Sequence, residues 1–570
     1  MSYSFGNSYG KPFSGQFRPP PCDYNSVVMN FTVTSSGRQF DRLAVMYLNN
    51  TEIWRTSTAE PTLNGIAWTY MKDVSNYLTL WKQPQKIIFD LGNIIDSTYT
   101  GAFNTTLTAT FFSKKGIPKP ADIIIPLSAR RSANGSASAF MVPEVQAINT
   151  FSIPQNVDKA IFSLSAVGQA EEEFWWSNVP SSTTGTFINN TLLGFSPFRE
   201  VQLLVDGEIV GVTWPFPVIF TGGIVPGIDA FDLKEDEIDL TPWLSILSDG
   251  RDHSYEIRVM GLVDDGQGNA TLTAVGKYWV VTGKLFLWLN PSNSTTTGTP
   301  LTKLTPVPQF FITSSTTKSP NNGTNSTLTY QVLAQRQLSF TSTLETSTGP
   351  VTASWQQTLQ YSNIALFTNN GNNQTNTQMT SGLDHSSSGY SRRFSYPLYV
   401  MSSVTGGNGA VDAAMGLTGV LDRAKNVQVF GQSVFPDGLE DFMDEGRFDG
   451  WSLATRQNGS SGYTPSTLLK KGTSYGATEQ EYVFAGVKVG DEGVANRAGD
   501  GTVQVPFAMG TEPLFSRSVL AVNGSVARDS LQNVDQRVIG NGIMKEEYFD
   551  SGFATMHDLE FVGGKFIHVV

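Results

Sequence analysis

Hydrophobic and polar positions alternate along most of this chain. Val27-Val-Met-Asn-Phe-Thr-Val-Thr34 and Leu43-Ala-Val-Met-Tyr-Leu48 show the pattern near the start. A period of two sends successive side chains to opposite faces of a strand. Further strands are predicted at 86–91, 105–112, 159–166, 200–205, 255–259, 271–274 and 285–289, and alternation returns at 330–343 and 352–361. Turn signals separate them: Asn64-Gly, Asn134-Gly, Asp206-Gly, Asp249-Gly and Asp265-Gly. Val205-Asp-Gly-Glu208 between apolar runs predicts a tight hairpin. Short strands roughly every 10–15 residues predict an all-β chain built of sandwiches or jelly rolls.

Composition shifts divide the chain. A first β block is expected over 1–118 and a connector rich in Pro, Lys and Ser over 119–141. A second β block follows over 142–290, then a Ser/Thr/Asn-rich linker region over 291–328. A C-terminal β domain is expected over 329–528, with a tail of uncertain origin over 529–570.

Charge changes the picture next. Only 15% of the 570 residues are charged, against roughly 25% in an average soluble domain. Helix surfaces are normally dressed with Glu, Lys and Arg, so neutral polar strands and loops fit better. The net charge of −12 and the lack of a Lys/Arg cluster argue against nucleic acid as a partner. No run of 18 apolar residues is present to span a membrane. The N-terminus has no apolar signal-peptide core. Yet Asn-x-Ser/Thr occurs twelve times, at Asn30, Asn49, Asn104, Asn134, Asn189, Asn269, Asn293, Asn322, Asn325, Asn373, Asn458 and Asn523. That modest excess points to a secreted glycoprotein. Cys22, the one cysteine, has no internal partner; it is either a tolerated thiol or half of a bridge.

Nine of eleven tryptophans precede residue 290. Their faces suit sugar rings, while the structural alternative is that they fill sandwich cores. The four histidines have no zinc spacing, and no nucleophile elbow, P-loop or EF-hand loop occurs. Carboxylate chemistry remains. Asp41 opens the strand Phe40-Asp-Arg-Leu43 beside Arg42, where it is either a catalytic group or half of a strand-end ion pair. Glu173 ends the run Glu171-Glu-Glu and precedes Phe174-Trp-Trp-Ser-Asn178. Like-charge proximity there is expected to raise at least one pKa; the alternative is an edge-strand cluster beside a core aromatic patch.

At these residues the sequence resembles peptide-N-glycosidase A, the acid-active amidases that remove asparagine-linked glycans. The resemblance is carried in order by Glu52-Ile-Trp-Arg-Thr-Ser-Thr-Ala-Glu-Pro-Thr62, Gly65-Ile-Ala-Trp68, Lys72-Asp-Val-Ser-Asn-Tyr77, Leu91-Gly-Asn93, Tyr99-Thr-Gly101, Glu173-Phe-Trp-Trp-Ser-Asn178, Phe198-Arg-Glu-Val201, Asp206-Gly-Glu208, Trp214-Pro-Phe216 and Phe220-Thr-Gly-Gly-Ile224. A remoter resemblance to the bacterial F-type enzymes implies two side-by-side jelly rolls. It implies Asp41 as the principal catalytic carboxylate and Glu173 as its partner across the domain cleft. The third catalytic position has only weak candidates, Asp90 and Asn93.

What the resemblance implies is an amidase hydrolysing the bond between asparagine and N-acetylglucosamine, which releases a glycosylamine and leaves Asp. Asp41 would activate a water, and Glu173 would bind sugar or share the proton. Arg42 or Arg55 would polarise the carbonyl. Trp68, Trp175, Trp176 and Trp214 are candidate sugar-binding residues. Glu60 is a further candidate, although a structural role fits Glu60 and Asp73 better. Neither metal nor cofactor is called for. The substrates would be N-glycopeptides or glycoproteins, met in an extracellular or vacuolar setting. The family's usual secretion signal and upstream cysteine imply that Cys22 pairs with a residue before Met1. The other readings are a non-catalytic lectin-like glycan binder and a carboxylate glycosidase.

Overall fold

The computed structural model describes residues 1–115, 117–220, 227–291, 294–346, 349–405, 416–436, 447–466, 471–488, 512–523 and 525–532, with backbone alone at 465–466, 471–473, 559–562 and 565–568. Every strand expected from the pattern lies within an observed strand, and the chain is all-β.

The first sandwich has eight strands: β1 (Ser2–Phe5), β2 (Phe13–Phe17), β3 (Ser26–Ser35), β4 (Leu43–Leu48), β5 (Thr51–Ser57), β6 (Ile66–Asp73), β7 (Gln85–Leu91) and β8 (Phe103–Phe112). One sheet runs β1-β8-β3-β6 and the facing sheet β2-β7-β4-β5. This interleaving is the strand order of a jelly roll, two Greek keys folded together. Its core joins alternate residues of both sheets, including Val27, Met29, Phe31 and Val33 with Ala44, Met46 and Leu48.

The second sandwich repeats the order. Its strands are β9 (Ile123–Leu127), β10 (Phe140–Val142), β11 (Ala147–Phe151), β12 (Val157–Gly168), β13 (Glu200–Val205), β14 (Glu208–Thr213), β15 (Asp236–Asp239), β16 (His253–Asp264), β17 (Ala270–Ala274) and β18 (Trp279–Leu289). The sheets run β10-β18-β12-β15, with β9 added on β18, and β11-β16-β13-β14, with β17 added on β16. The hairpin at Asp206-Gly207 forms as expected, with positive φ at both residues (50° and 81°), the geometry of a type I′ turn. Strands β9 and β10 fall inside 119–141, the stretch read as a connector. Pro126 hid β9, and proline is tolerated there because β9 pairs only with β18.

The third unit is a single twelve-stranded sheet. Its long strands, Asn325–Thr346, Gly349–Thr368, Asn373–Ser386, Ser391–Thr405, Gly416–Phe430, Gly450–Ser466, Lys471–Val487, Glu512–Val522 and Ser525–Gln532, each pair antiparallel with the next. The stretch read as a linker, 291–328, contributes three strands to its edge, among them Gln309–Lys318. Ser and Thr supply the strand there without an apolar signal. The last long strand crosses the boundary expected at 528, and 559–562 pairs with 565–568 as a hairpin. Every second residue from Leu328 to Leu344 is buried, and that face shares one core with the second sandwich. Gln357 both accepts from and donates to the backbone of Val212, at 2.9 Å each way, which couples the two units like a ladder rung.

Candidate active site

The two sandwiches meet through outward-facing strand positions. Leu43, Val45 and Tyr47 of β4 pack with Ile88 and Ala137. Leu43 also joins Val167, Phe220, Leu233 and Val280, with Tyr278 against the same cluster. Arg55 reaches across: its Nη1 donates to the Val280 carbonyl at 2.7 Å, and Thr282 donates to Glu52 at 2.7 Å.

Asp41 lies two residues before Leu43, just outside β4. Ser57 Oγ donates to Asp41 Oδ2 at 3.4 Å, and the Ser57 amide is fixed to the Ala230 carbonyl at 2.7 Å. Arg42 and Thr58 exchange hydrogen bonds of 2.8 and 2.9 Å that clamp the strand opening. Both Asp41 and Arg42 are half-buried.

Glu173 comes from the second sandwich. Strand β12 ends at Gly168, where a Cβ would stand 2.2 Å from the Glu172 carbonyl, so only glycine admits the tight turn that follows. The three glutamates then part company. Glu172 is buried, takes two hydrogen bonds from Arg199 at 2.6 and 2.7 Å, and a third from Trp279 at 2.9 Å. Glu171 lies 3.7 Å from Lys277. Glu173 lines a narrow cavity of about 70 Å³ together with Trp175. The three glutamates thus have different surroundings within one turn. The Gln169 amide donates to Tyr278 at 3.3 Å, and Tyr278 packs on the cluster that holds Leu43. The strand opening that carries Asp41 and the turn that carries Glu173 thus both adjoin the cluster of Leu43 and Tyr278 between the sandwiches.

Three residues that the sequence reading passed over adjoin these segments. Arg42 Nη2 donates to Gln39 at 2.8 Å and Nη1 to the Tyr9 hydroxyl at 3.3 Å. The Tyr9 ring rests on Gly92, where a Cβ would sit 2.8 Å away. Tyr278 has its pKa raised by burial, then by the charges of Tyr9, Glu144 and Glu173, so it lies within electrostatic reach of both sandwiches. Only the Gly92 of Leu91-Gly-Asn93 hinted at a close approach; Tyr9 and Tyr278 lie 269 positions apart and share no local motif.

Other candidates land elsewhere. Arg55 is fully engaged in a buried bidentate pair with Glu52, at 2.9 and 2.8 Å. Burial pushes the Glu52 carboxyl up, but Arg55 and Lys284 outweigh it and hold it below the usual range. Glu60 is half-buried in the turn after β5. Asp73 accepts from the Ser75 amide at 2.8 Å, a local turn bond. Asn93 bonds the carbonyls of Phe5 and Gly101, both at 3.0 Å. Asp90 is half-buried and pushed up to about 6 by burial.

The tryptophans are core residues rather than open sugar platforms. Trp68 is buried against Phe231 and Phe103. Trp176 is buried, and its carbonyl accepts from Asn376 and Gln378 of the third sheet. Trp214 is buried, edge-on to Phe198, and donates to Glu200 at 3.1 Å. Of the four candidates, Trp175, buried beside Trp279, is the one that borders the cavity with Glu173, and Trp279 borders it as well. These rings are buried where their large apolar area is worth most.

Of the sequon asparagines, Asn49, Asn104, Asn134, Asn189, Asn269, Asn322, Asn458 and Asn523 are exposed, while Asn30, Asn325 and Asn373 are half-buried. Asn293 lies outside the described residues. Cys22 is exposed. Among the described residues no group of three or more His, Cys, Asp or Glu could hold a metal ion, and no helix is long and apolar enough to cross a membrane.

Two jelly rolls side by side, joined by a third unit built as one long sheet, define the class of protein as a multi-domain all-β chain. Residues 1–306 match the family described as peptide N-acetyl-β-D-glucosaminyl asparaginase amidase A, and residues 329–398 match the PNGase_A C-terminal domain. The chain belongs to this family of amidases. It is 31% identical over 453 residues to peptide-N4-(N-acetyl-β-glucosaminyl)asparagine amidase A of Prunus dulcis, covering 72% of this chain and 75% of the relative. Among solved structures, PNGase F, a glycosylasparaginase from Flavobacterium meningosepticum, aligns with a TM-score of 0.32 and 13% identity over 51% of this chain and 93% of that one. PNGF-II aligns with a TM-score of 0.32 and 11% identity over 49% and 61% of the two chains.

Proposed function

We propose that this chain hydrolyses the amide between an asparagine side chain and N-acetylglucosamine in N-glycopeptides or glycoproteins, leaving Asp and releasing a glycosylamine, with Asp41 and Glu173 as the working carboxylates. The observation that supports the reading is that the strand opening of Asp41 and the turn of Glu173, from separate sandwiches, both adjoin the cluster of Leu43 and Tyr278. An amide carbonyl needs an aimed water, a base to deprotonate it and a donor for the developing oxyanion. Asp41, half-buried and oriented by Ser57, is the base in this reading. Glu173 anchors the sugar or returns the proton to the leaving nitrogen. Arg42, held by Gln39 and Tyr9 beside Asp41, offers the positive charge to the carbonyl oxygen. The exposed sequons support passage through a secretory route, where glycoprotein substrates are met.

The test is Asp41→Asn. Glycan release from an N-glycopeptide is expected to fall by at least about a thousandfold, within the range typical for a removed acid–base group, with an unchanged melting curve. Release at the wild-type rate removes Asp41 from the mechanism.

A further inference from the structure

We infer that Arg423, on the third sheet, is a positioning residue for the carboxylate site: it holds the strap 214–220 in place as one wall of the cavity that Glu173 lines. The inference rests on reading Glu173 as part of the working site.

Pro215, Phe216, Val218 and Phe220 line that cavity together with Glu173 and Trp175. Two prolines deny the strap two amide donors, and it is no part of either sheet. Something outside the second sandwich must restrain it. Arg423 does so from the third sheet. Its Nη1 donates to the Pro217 carbonyl at 2.9 Å, its Nη2 to the Ile219 carbonyl at 3.4 Å, and its Nε to Gln457 at 3.0 Å. Its guanidinium carbon lies 5.5 Å from the Phe216 ring centroid. Two residues on, Lys425 pairs with Asp229 and lies 5.3 Å from the same ring. Tyr396 meets Phe216 edge-on at 5.2 Å. Phe216 is therefore held by Arg423, Lys425 and Tyr396 of the third sheet, and Tyr396 and Lys425 border the same cavity.

Arg423 is costly as a purely structural group. It is completely buried, and among the described residues no carboxylate lies within ion-pair distance of it. Burial pulls its pKa down to about 9. A buried charge satisfied only by carbonyls and an amide gives less stability than an apolar side chain of equal volume would. What only the planar fork supplies is simultaneous capture of two strap carbonyls. That makes the third sheet part of the site's construction.

Two variants test this, Arg423→Met and Arg423→Lys. Arg423→Met keeps the volume and removes the charge; Arg423→Lys keeps the charge but cannot bond both carbonyls. Both are measured in the full chain on an N-glycopeptide, with melting curves and amide exchange at 216–220 alongside. The expected result is a fall in kcat of about ten- to hundredfold, the effect of an ångström-scale misplacement, with KM nearly unchanged. Amide exchange at Phe216, Val218, Ile219 and Phe220 should quicken, and the loss of kcat in both variants should exceed any loss of folded protein. Wild-type kcat in either folded variant, or a loss no larger than the loss of folded protein, overturns the inference. A wild-type chain that releases no glycan would instead overturn the amidase reading, and the exchange data would still decide whether Arg423 restrains the strap.

Discussion

Glu172 and Arg199 form a buried bidentate pair, Oε2 to Nε at 2.6 Å and Oε1 to Nη2 at 2.7 Å, one residue before Glu173. Arg199 also donates to the carbonyls of Phe195, Ser196 and Phe198. The pair pins the turn from which Glu173 emerges. Two adjacent glutamates are therefore expected to behave oppositely. Glu172→Ala leaves a buried guanidinium without its counter-ion and should cost about 3–5 kcal/mol. Glu173→Ala should change stability by less than about 1 kcal/mol while removing glycan release. Denaturant titration and an activity assay of the two variants check the contrast; equal destabilisation would contradict it.

Arg55 and Glu52 are expected to couple to each other and to the seam between the sandwiches, not to the substrate. A double-mutant cycle with Arg55→Met and Glu52→Gln should yield a coupling of about 1–3 kcal/mol in stability, the size found for contacting charged residues. KM for glycopeptide should be unchanged in any variant that remains folded. A raised KM with unchanged stability would return Arg55 to the substrate.

Two buried aspartates of opposite shift set a pH window. Burial pushes Asp384 up to about 6, against the opposing pull of Arg392 and Gln357. A folded pKa above the unfolded value of about 4 means the folded state holds the proton more tightly. Its contribution is present at low pH and is lost as pH rises between about 4 and 6. Asp384→Asn should flatten that fall. Asp232 is the reverse case. Burial raises it, but Lys234 and Lys72 outweigh burial and hold it well below the usual range, with Lys72 Nζ at 2.5 Å. Its contribution is present above about pH 4 and is lost as pH falls further. Asp232→Asn should therefore lose stability at neutral pH and lose less on acidification. Denaturant midpoints from pH 3 to pH 8 for both variants measure these slopes.

The β periodicity was legible wherever one strand face meets a core, as from Leu328 to Leu344, because burial selects apolar residues at every second position. It was not legible at Gln309–Lys318, where both faces are largely solvated and Ser and Thr carry the strand. Asp41 and Glu173 could be singled out by context, but how their two segments are placed depends on how two jelly rolls dock, through residues such as Leu43 and Tyr278. The acidic run could not reveal which glutamate was structural: Arg199, the partner that decides it, lies 27 residues away. Tryptophan richness pointed outward to sugars, but Trp68, Trp176 and Trp214 are buried, and only Trp68 sits in a strand whose alternation could have shown it. The role of the third sheet was invisible, since Arg423 meets Pro217 across 206 positions of chain.

The central claim is that this chain breaks the asparagine–sugar amide itself. The direct measurement is the mass of an N-glycopeptide incubated with the wild-type chain at acid and neutral pH. The account predicts a sugar-free peptide about one dalton heavier than its asparagine form, because water replaces the amide nitrogen, and no such product from Asp41→Asn or Glu173→Gln. A peptide that retains one N-acetylglucosamine would make the chain a glycosidase, and an unchanged glycopeptide would leave a glycan binder; either result contradicts the account.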